Sequence, residues 1–328
     1  MPPSSPPLRR SLLFWGIVLV DGALWVAAFT WQPPEVHSAP ILAVNVWPGT
    51  ETFIVARNSG RIPNQTINFV EISWSSSAMR AFANHALDAA VLTLSEALQL
   101  RELGQSMKVL AVIDESVGAD ALVGKPGISR MADLKGRKVA VEMRSAGQYL
   151  LGRALHEAGM SWQDVEMVPI IAPESALAFG ELGVDAVATA EPWLTHLLKN
   201  GGTVLCDSSK FPGEMQRVLV VREDLVRKNA ADLADLVNAH FETLPLHTQP
   251  APVLKVLQQR ETLTPVEWEA VFSKIRMVPR ADQGKFLSGP GAQLKESLTI
   301  VHEHLKAYGM MEDAADWEIP LDDRFVVP

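Results

Sequence analysis

The sequence predicts an α/β protein of two lobes with similar topology. Three observations carry this expectation. Short apolar runs alternate with amphipathic stretches, the pattern of βαβ units around buried strands. A sequence echo recurs at an offset of 97 residues: Ala81-Phe82 with Asp88-Ala89, then Ala178-Phe179 with Asp185-Ala186. A threonine follows each copy, Thr93 or Thr189. The 328 residues also suffice for two domains, at roughly 100–200 residues each.

The elements follow in order. Ile41–Val46 reads as a strand ending at Trp47-Pro48-Gly49, and Thr52–Asn58 as a helix closed by Ser59-Gly60. Ile67–Ile72 is the next strand, and Ser76–His85 a helix started by serines. Ala89–Leu92 is a strand, Ser95–Leu103 a helix stopped by Gly104, and Met107–Ile113 a strand. The alternation resumes with strand Lys138–Val141, helix Gly147–Ala158, strand Val165–Val168 and helix Pro173–Leu182. Strand Ala186–Ala188, helix Pro192–Lys199 and strands Thr203–Leu205 and Gln216–Val221 complete it. Beyond about Asp224 the pattern is almost wholly helical: Leu225–Lys228, Ala231–Leu244, Ala251–Gln259, Pro265–Ile275 and Gln293–Tyr308. Residues 317–328 read as an extended arm.

Composition excludes several classes. The hydrophobic fraction of 48% and charged fraction of 20% rule out a disordered chain. A net charge of −9 argues against non-specific nucleic-acid binding. The single cysteine, Cys206, forms no intrachain disulfide and no Cys-based zinc cluster, and it reads as buried and inert. His302 and His304 are two apart on a helix and do not share a face. No G-x-S-x-G, Walker loop or G-x-G-x-x-G is present. No metal, cofactor or catalytic pair is therefore expected.

The amino terminus reads as an address. Arg9 and Arg10 precede Leu12–Trp31, which is apolar apart from Asp21, Gly22 and Thr30. A basic start before an apolar run marks residues 1–32 as a signal peptide or an amino-terminal membrane anchor. Asp21 at mid-span costs about 2.5–3.5 kcal/mol on insertion scales, which weakens the anchor reading. Val26 and Ala28 offer the small residues of a cleavage site.

Four stretches carry a family resemblance. They are Trp47-Pro48-Gly49; Asp114-Glu115-Ser116-Val117-Gly118-Ala119-Asp120; Gly127-Ile128 with Ala132-Asp133-Leu134-Lys135-Gly136 before Lys138–Val141; and Val184-Asp185-Ala186 leading to Glu191-Pro192. In this order the chain resembles the nitrate/sulfonate/taurine group of periplasmic substrate-binding proteins of ABC transporters, over about residues 41–328. The resemblance implies a two-lobed periplasmic binding protein type II fold with two hinge crossings. Lobe 1 is expected at 40–118 plus 222–328, and lobe 2 at 119–221. It also implies a monomeric periplasmic protein that captures a small anionic or zwitterionic ligand, sulfonate- or taurine-like, for an inner-membrane permease. Two alternatives stand beside it. One is an enzyme on the same fold, of the menaquinone- or thiamin-precursor type. The other is a membrane-tethered sensor domain.

Candidate ligand contacts gather at strand ends, where parallel α/β sheets bind ligands. Ser145-Ala146-Gly147 opens a helix, whose free N–H groups and dipole suit an anion; Ser145 is equally an N-cap. Ser76 and Ser77 hold the equivalent place in the first lobe, as ligand contacts or caps. Trp47 and Trp74 stand where an indole stacks on a ligand or packs between elements. Arg144 pairs with the anion, with Glu142, or with solvent. Glu191 and Glu51 serve a ligand ammonium or their own helix N-termini, and Thr93 and Thr189 serve ligand or cap. Gly49, Glu142 and Gln216 complete the ligand-facing set. Gly118 and Asp120 are read as hinge, while Asp114 is open between hinge and cleft.

Overall fold

The structure is a computed structural model and describes residues 38–63, 66–245, 263–312 and 316–327. The apolar segment 1–32 and the helix expected over Ala251–Gln259 lie outside the described residues. Among the described residues, no helix is long and apolar enough to cross a membrane.

Two sheets form, one in each lobe. The first is built from β1 (Ile41–Val44), β2 (Asn68–Glu71), β3 (Ala89–Thr93), β4 (Met107–Ser116), β10 (Gln216–Arg222) and β11 (Ile275–Met277), in the order β11-β4-β10-β3-β1-β2. The second contains β5 (Asp120–Gly124), β6 (Arg137–Val141), β7 (Val165–Pro169), β8 (Ala186–Ala190) and β9 (Thr203–Asp207), in the order β7-β6-β8-β5-β9. In the first sheet β2, β1 and β3 run parallel; in the second, β7, β6 and β8 do. The apolar run Ala89–Leu92 of β3 follows from its central place, where all five residues of the strand are buried.

Helices cover the sheets. Before β10 these are α1 (Glu51–Asn58), α2 (Ser75–Ala83), α3 (Leu94–Glu102), α4 (Ala146–Glu157), α5 (Ser175–Gly180) and α6 (Trp193–Lys199). The later part supplies α7 (Glu223–Lys228), α8 (Ala230–Thr243), α9 (Pro265–Phe272), α10 (Gln283–Leu287) and α11 (Gln293–Ala307). Phe53 of α1 and Phe82 of α2 are fully buried against the first sheet's core. Each such aromatic contributes about 1.5–3 kcal/mol.

The 97-residue echo has a structural meaning. Asp88 Oδ2 accepts a bond from the Ile41 N–H (2.9 Å), and Asp185 Oδ2 accepts one from the Lys138 N–H (3.0 Å). In each lobe the aspartate before a central strand pins the start of its parallel neighbour.

Beside β5 and α10, which the sequence pattern did not announce, three features differ from expectation. β4 extends through Asp114, Glu115 and Ser116, because these polar residues find tertiary partners: β11 pairs with all three, and Arg276 bonds Glu115. β11 itself replaces the end of the helix expected to reach Ile275; that helix, α9, stops at Phe272. The return boundary also moves. Residues 216–221, expected in lobe 2, belong to β10, which lies between β3 and β4 in the first sheet. Its apolar run Val218–Val221 is buried on both faces there. The chain thus crosses between sheets at Val117–Ala119 and returns between Asp207 and Gln216.

Candidate functional site

The carboxyl ends of the parallel strands of both sheets face each other across one cavity of about 60 Å³. From the first lobe come Asn45, Trp47, Trp74, Thr93, Glu96 and Arg217; from the second, Asp120, Glu142, Ser145–Gly147, Thr189–Glu191 and Trp193. That volume holds a few waters or a compact solute.

Local structure places each group. Ser145 is the N-cap of α4: its hydroxyl accepts from the Gly147 N–H (3.0 Å) and the Gln148 N–H (3.4 Å) and donates to the Glu142 carbonyl (2.8 Å). Thr93 is the N-cap of α3 in a capping box with Glu96. Thr189 spends its hydroxyl on Ser175 (2.9 Å). Gly147 sits tight on β8, where an added Cβ would lie 3.4 Å from the Ala188 carbonyl.

The helix N-termini are not free, contrary to the sequence expectation. The Ala146 N–H donates to Glu96 Oε1 of the opposite lobe (3.1 Å). In return, the Ser76 N–H of α2 donates to Glu142 Oε1 (2.8 Å), and Glu142 Oε2 accepts from the Ala172 N–H (3.2 Å). Each lobe therefore supplies a carboxylate to the other lobe's helix start, the place where an anion would sit. Burial raises the Glu142 pKa, against the pull of its N–H donors. Glu191 is fully buried; its Oε1 takes a bond from Lys274 Nζ (2.8 Å), and its Oε2 takes the Thr195 N–H of its own helix (3.0 Å).

A second cluster lies beside this. Both oxygens of Asp120 accept from Arg217 Nη2 (3.1 Å each), and Asp114 Oδ1 lies 3.7 Å from Arg217 Nη1. The guanidinium stacks over the Trp47 ring, 3.3 Å from its centroid. Trp47 Nε1–H donates to Asp114 Oδ2 (2.9 Å). Burial pushes the Asp114 pKa up to about 6, more than Arg217 and the indole bond pull it down.

Several sequence-predicted residues stand elsewhere. Gly49 does not line the cavity; it makes room for the Trp47–Asp114 bond, since a Cβ there would meet Asp114 Oδ2 at 2.0 Å. Glu51 is fully buried in the first turn of α1. Ser76 reaches across through its backbone N–H, with its side chain also acting on Glu142, and Ser77 Oγ accepts from Arg80 on the helix surface. Asp114 sits behind Trp47 rather than on the lining. Asp120, read as hinge, lines the cavity, whereas Gly118 stays at the crossing with φ +107° and its N–H on Ser208 Oγ. Gln216 is off the lining while Arg217 is on it, because adjacent strand residues face opposite ways. Arg144 pairs with Glu102 (3.8 Å). Glu96 and Arg217 were missed. The Thr93-x-x-Glu96 spacing was a readable capping-box signal; Arg217 showed only as a charge entering an apolar strand. Away from the site, Cys206 is buried, and His302 stacks on Trp317 while His304 stacks on Tyr308.

Comparison with known proteins adds the lineage. Residues 41–253 match the NMT1-like family. A Brucella abortus (strain 2308) protein named as a binding protein is 29% identical over 132 residues, 39% of this chain and 41% of that relative's own length. The alkanesulfonate-binding protein from Xanthomonas axonopodis pv. citri, solved bound to MOPS, superposes with a TM-score of 0.73 at 17% identity, covering 84% of this chain and 95% of its own. The periplasmic nitrate-binding protein from Synechocystis PCC 6803 gives 0.66 at 12% identity, over 87% and 85%. The two-lobed periplasmic-binding-protein fold is thus common to this chain and these structures.

Proposed function

The chain belongs to the NMT1-like family, and on that premise we propose that it is the solute-binding component of an ABC importer. It works as a monomer in the periplasm, closes on a small molecule between its lobes and presents the closed form to an inner-membrane permease. One observation carries this reading: a small cavity with polar and indole walls, roofed by strand ends of both lobes and closed by bonds between them. A binding protein needs such a site, because closure then couples capture to a shape the permease distinguishes. The names of the fold neighbours and the basic-apolar amino terminus support export and import.

The ligand class follows less directly. The sequence favoured a sulfonate- or taurine-like anion or zwitterion, and the Xanthomonas protein is named for alkanesulfonates. In this chain the positions suited to the sulfonate are taken by Glu96 and Glu142, so a zwitterion suits the site better than a bare anion.

The test is a thermal-shift screen of the purified protein over sulfonates, aminosulfonates, oxyanions, amines and amidines. A ligand that binds only the native state raises the Tm by mass action, about 2.7 kcal/mol at a hundred times its Kd. Saturable stabilisation without product formation is expected; stabilisation accompanied by turnover would instead establish an enzyme.

A further inference from the structure

Resting on the solute-binding reading, we propose that the interlobe cleft selects a small organic cation bearing N–H donors, such as an amine or amidinium, and disfavours anions. The charge balance is the first argument. Glu96, Asp120, Glu142 and Glu191 line the cavity against Arg217 alone. Lys274, from beside it, answers Glu191 (2.8 Å), and Arg217 answers Asp120. That leaves Glu96 and Glu142 without a cationic side chain among the described residues.

The second argument is geometric. Glu96 and Glu142 each accept two backbone N–H bonds, which use one lone pair on each oxygen. A carboxylate offers about four acceptor positions; the Ser76 side chain also acts on Glu142, and each carboxylate still retains capacity for a further donor. The same bonds fill the helix N-termini at Ala146 and Ser76, so an anion entering here loses those donors and meets two carboxylates instead. Like charges at such range in a closed site are strongly unfavourable.

The third argument is the wall. The Trp74 and Trp193 side chains line the cavity and are only partly buried. Indole faces attract cations, more strongly once water is excluded. Arg217 adds one feature of its own: Nη1 is buried without a hydrogen-bond partner. That nitrogen lies 3.7 Å from Asp114 Oδ1, and the charge is matched by Asp114 and Asp120, so Arg217 presents no net positive field to the ligand.

Isothermal titration of the full folded protein with acetamidinium chloride, ethylammonium chloride, sodium methanesulfonate and taurine tests this. Acetamidinium or ethylammonium should bind saturably and more tightly than either sulfonate. Glu142→Gln should weaken the cation about tenfold or more, the worth of a charge-assisted bond, with circular dichroism reporting that the variant is folded. The wild-type rank order stands on its own should that variant fail to fold. Methanesulfonate or taurine binding more tightly than both cations overturns the cation assignment and leaves the solute-binding reading intact. Cation affinity unchanged in folded Glu142→Gln overturns the assignment as well. Failure of any solute, in this set or the wider screen, to bind overturns both.

Discussion

At the residue scale, the site depends on buried charges held by few partners. Asp114 is fully buried, accepts the Trp47 indole N–H and lies 3.7 Å from Arg217. Its native pKa of about 6 lies above the ordinary 3.8. The folded protein therefore keeps a proton that the unfolded chain releases. The stabilising contribution of Asp114 is full below the unfolded value and is lost as pH rises through about 6. The loss amounts to about 3 kcal/mol. Asp114→Asn keeps an acceptor for Trp47 and has no proton to lose. Urea unfolding at several pH values should show wild type losing more stability than Asp114→Asn across that interval; parallel pH profiles would refute the assignment. Gly49 illustrates how a residue's type is legible while its duty is not. Gly49 is expected to face a ligand, and the group it accommodates is the Asp114 carboxylate.

At the element scale, the helix starts matter most. α3 begins with the Thr93–Glu96 capping box, and α4 begins with Ser145 bonding two of its own N–H groups. Serine and threonine at these places were legible from local chemistry alone. The use of the next N–H in line was not, because Ala146 bonds Glu96, 50 residues earlier in the chain. Ser145→Ala should cost about 1 kcal/mol, the ordinary value of an N-cap. Differential scanning calorimetry with and without a saturating ligand separates two roles. An equal loss in both conditions means a cap alone; a larger loss with ligand means that Ser145 also touches it. The same scale explains the strands. The apolar runs at β1, β3, β6 and β8 were read close to their observed bounds, since burial on both faces leaves a continuous hydrophobic signature. The polar end of β4 and the three-residue β11 carry no such signature and exist through pairing with each other.

At the scale of the whole molecule, the lobes are joined by bonds that cross the cleft. Ser76 to Glu142, Ala146 to Glu96 and Lys274 to Glu191 each link groups from opposite lobes. Removing Lys274 leaves the Glu191 carboxylate buried with one N–H donor. A fully buried broken pair costs about 3–5 kcal/mol; Lys274 is 31% exposed, so a cost of about 1–3 kcal/mol is expected for Lys274→Met. Small-angle scattering should show a larger radius of gyration for this variant than for wild type without ligand. An unchanged radius would mean that the bridge does not hold the lobes together. The α/β class, the two similar lobes and most of the strands and helices are legible from local sequence, because hydrophobic period and capping residues act within a few positions of the chain. So is the place of Trp47, Thr93, Glu142, Ser145 and Glu191 at the cleft, since strand ends of parallel sheets face it. Long-range contacts set which sheet receives Gln216–Arg222, that Arg217 rather than Gln216 faces the cavity, and that carboxylates already fill the helix starts. Those facts depend on contacts between residues tens of positions apart, and on a strand register in which one step reverses every side chain.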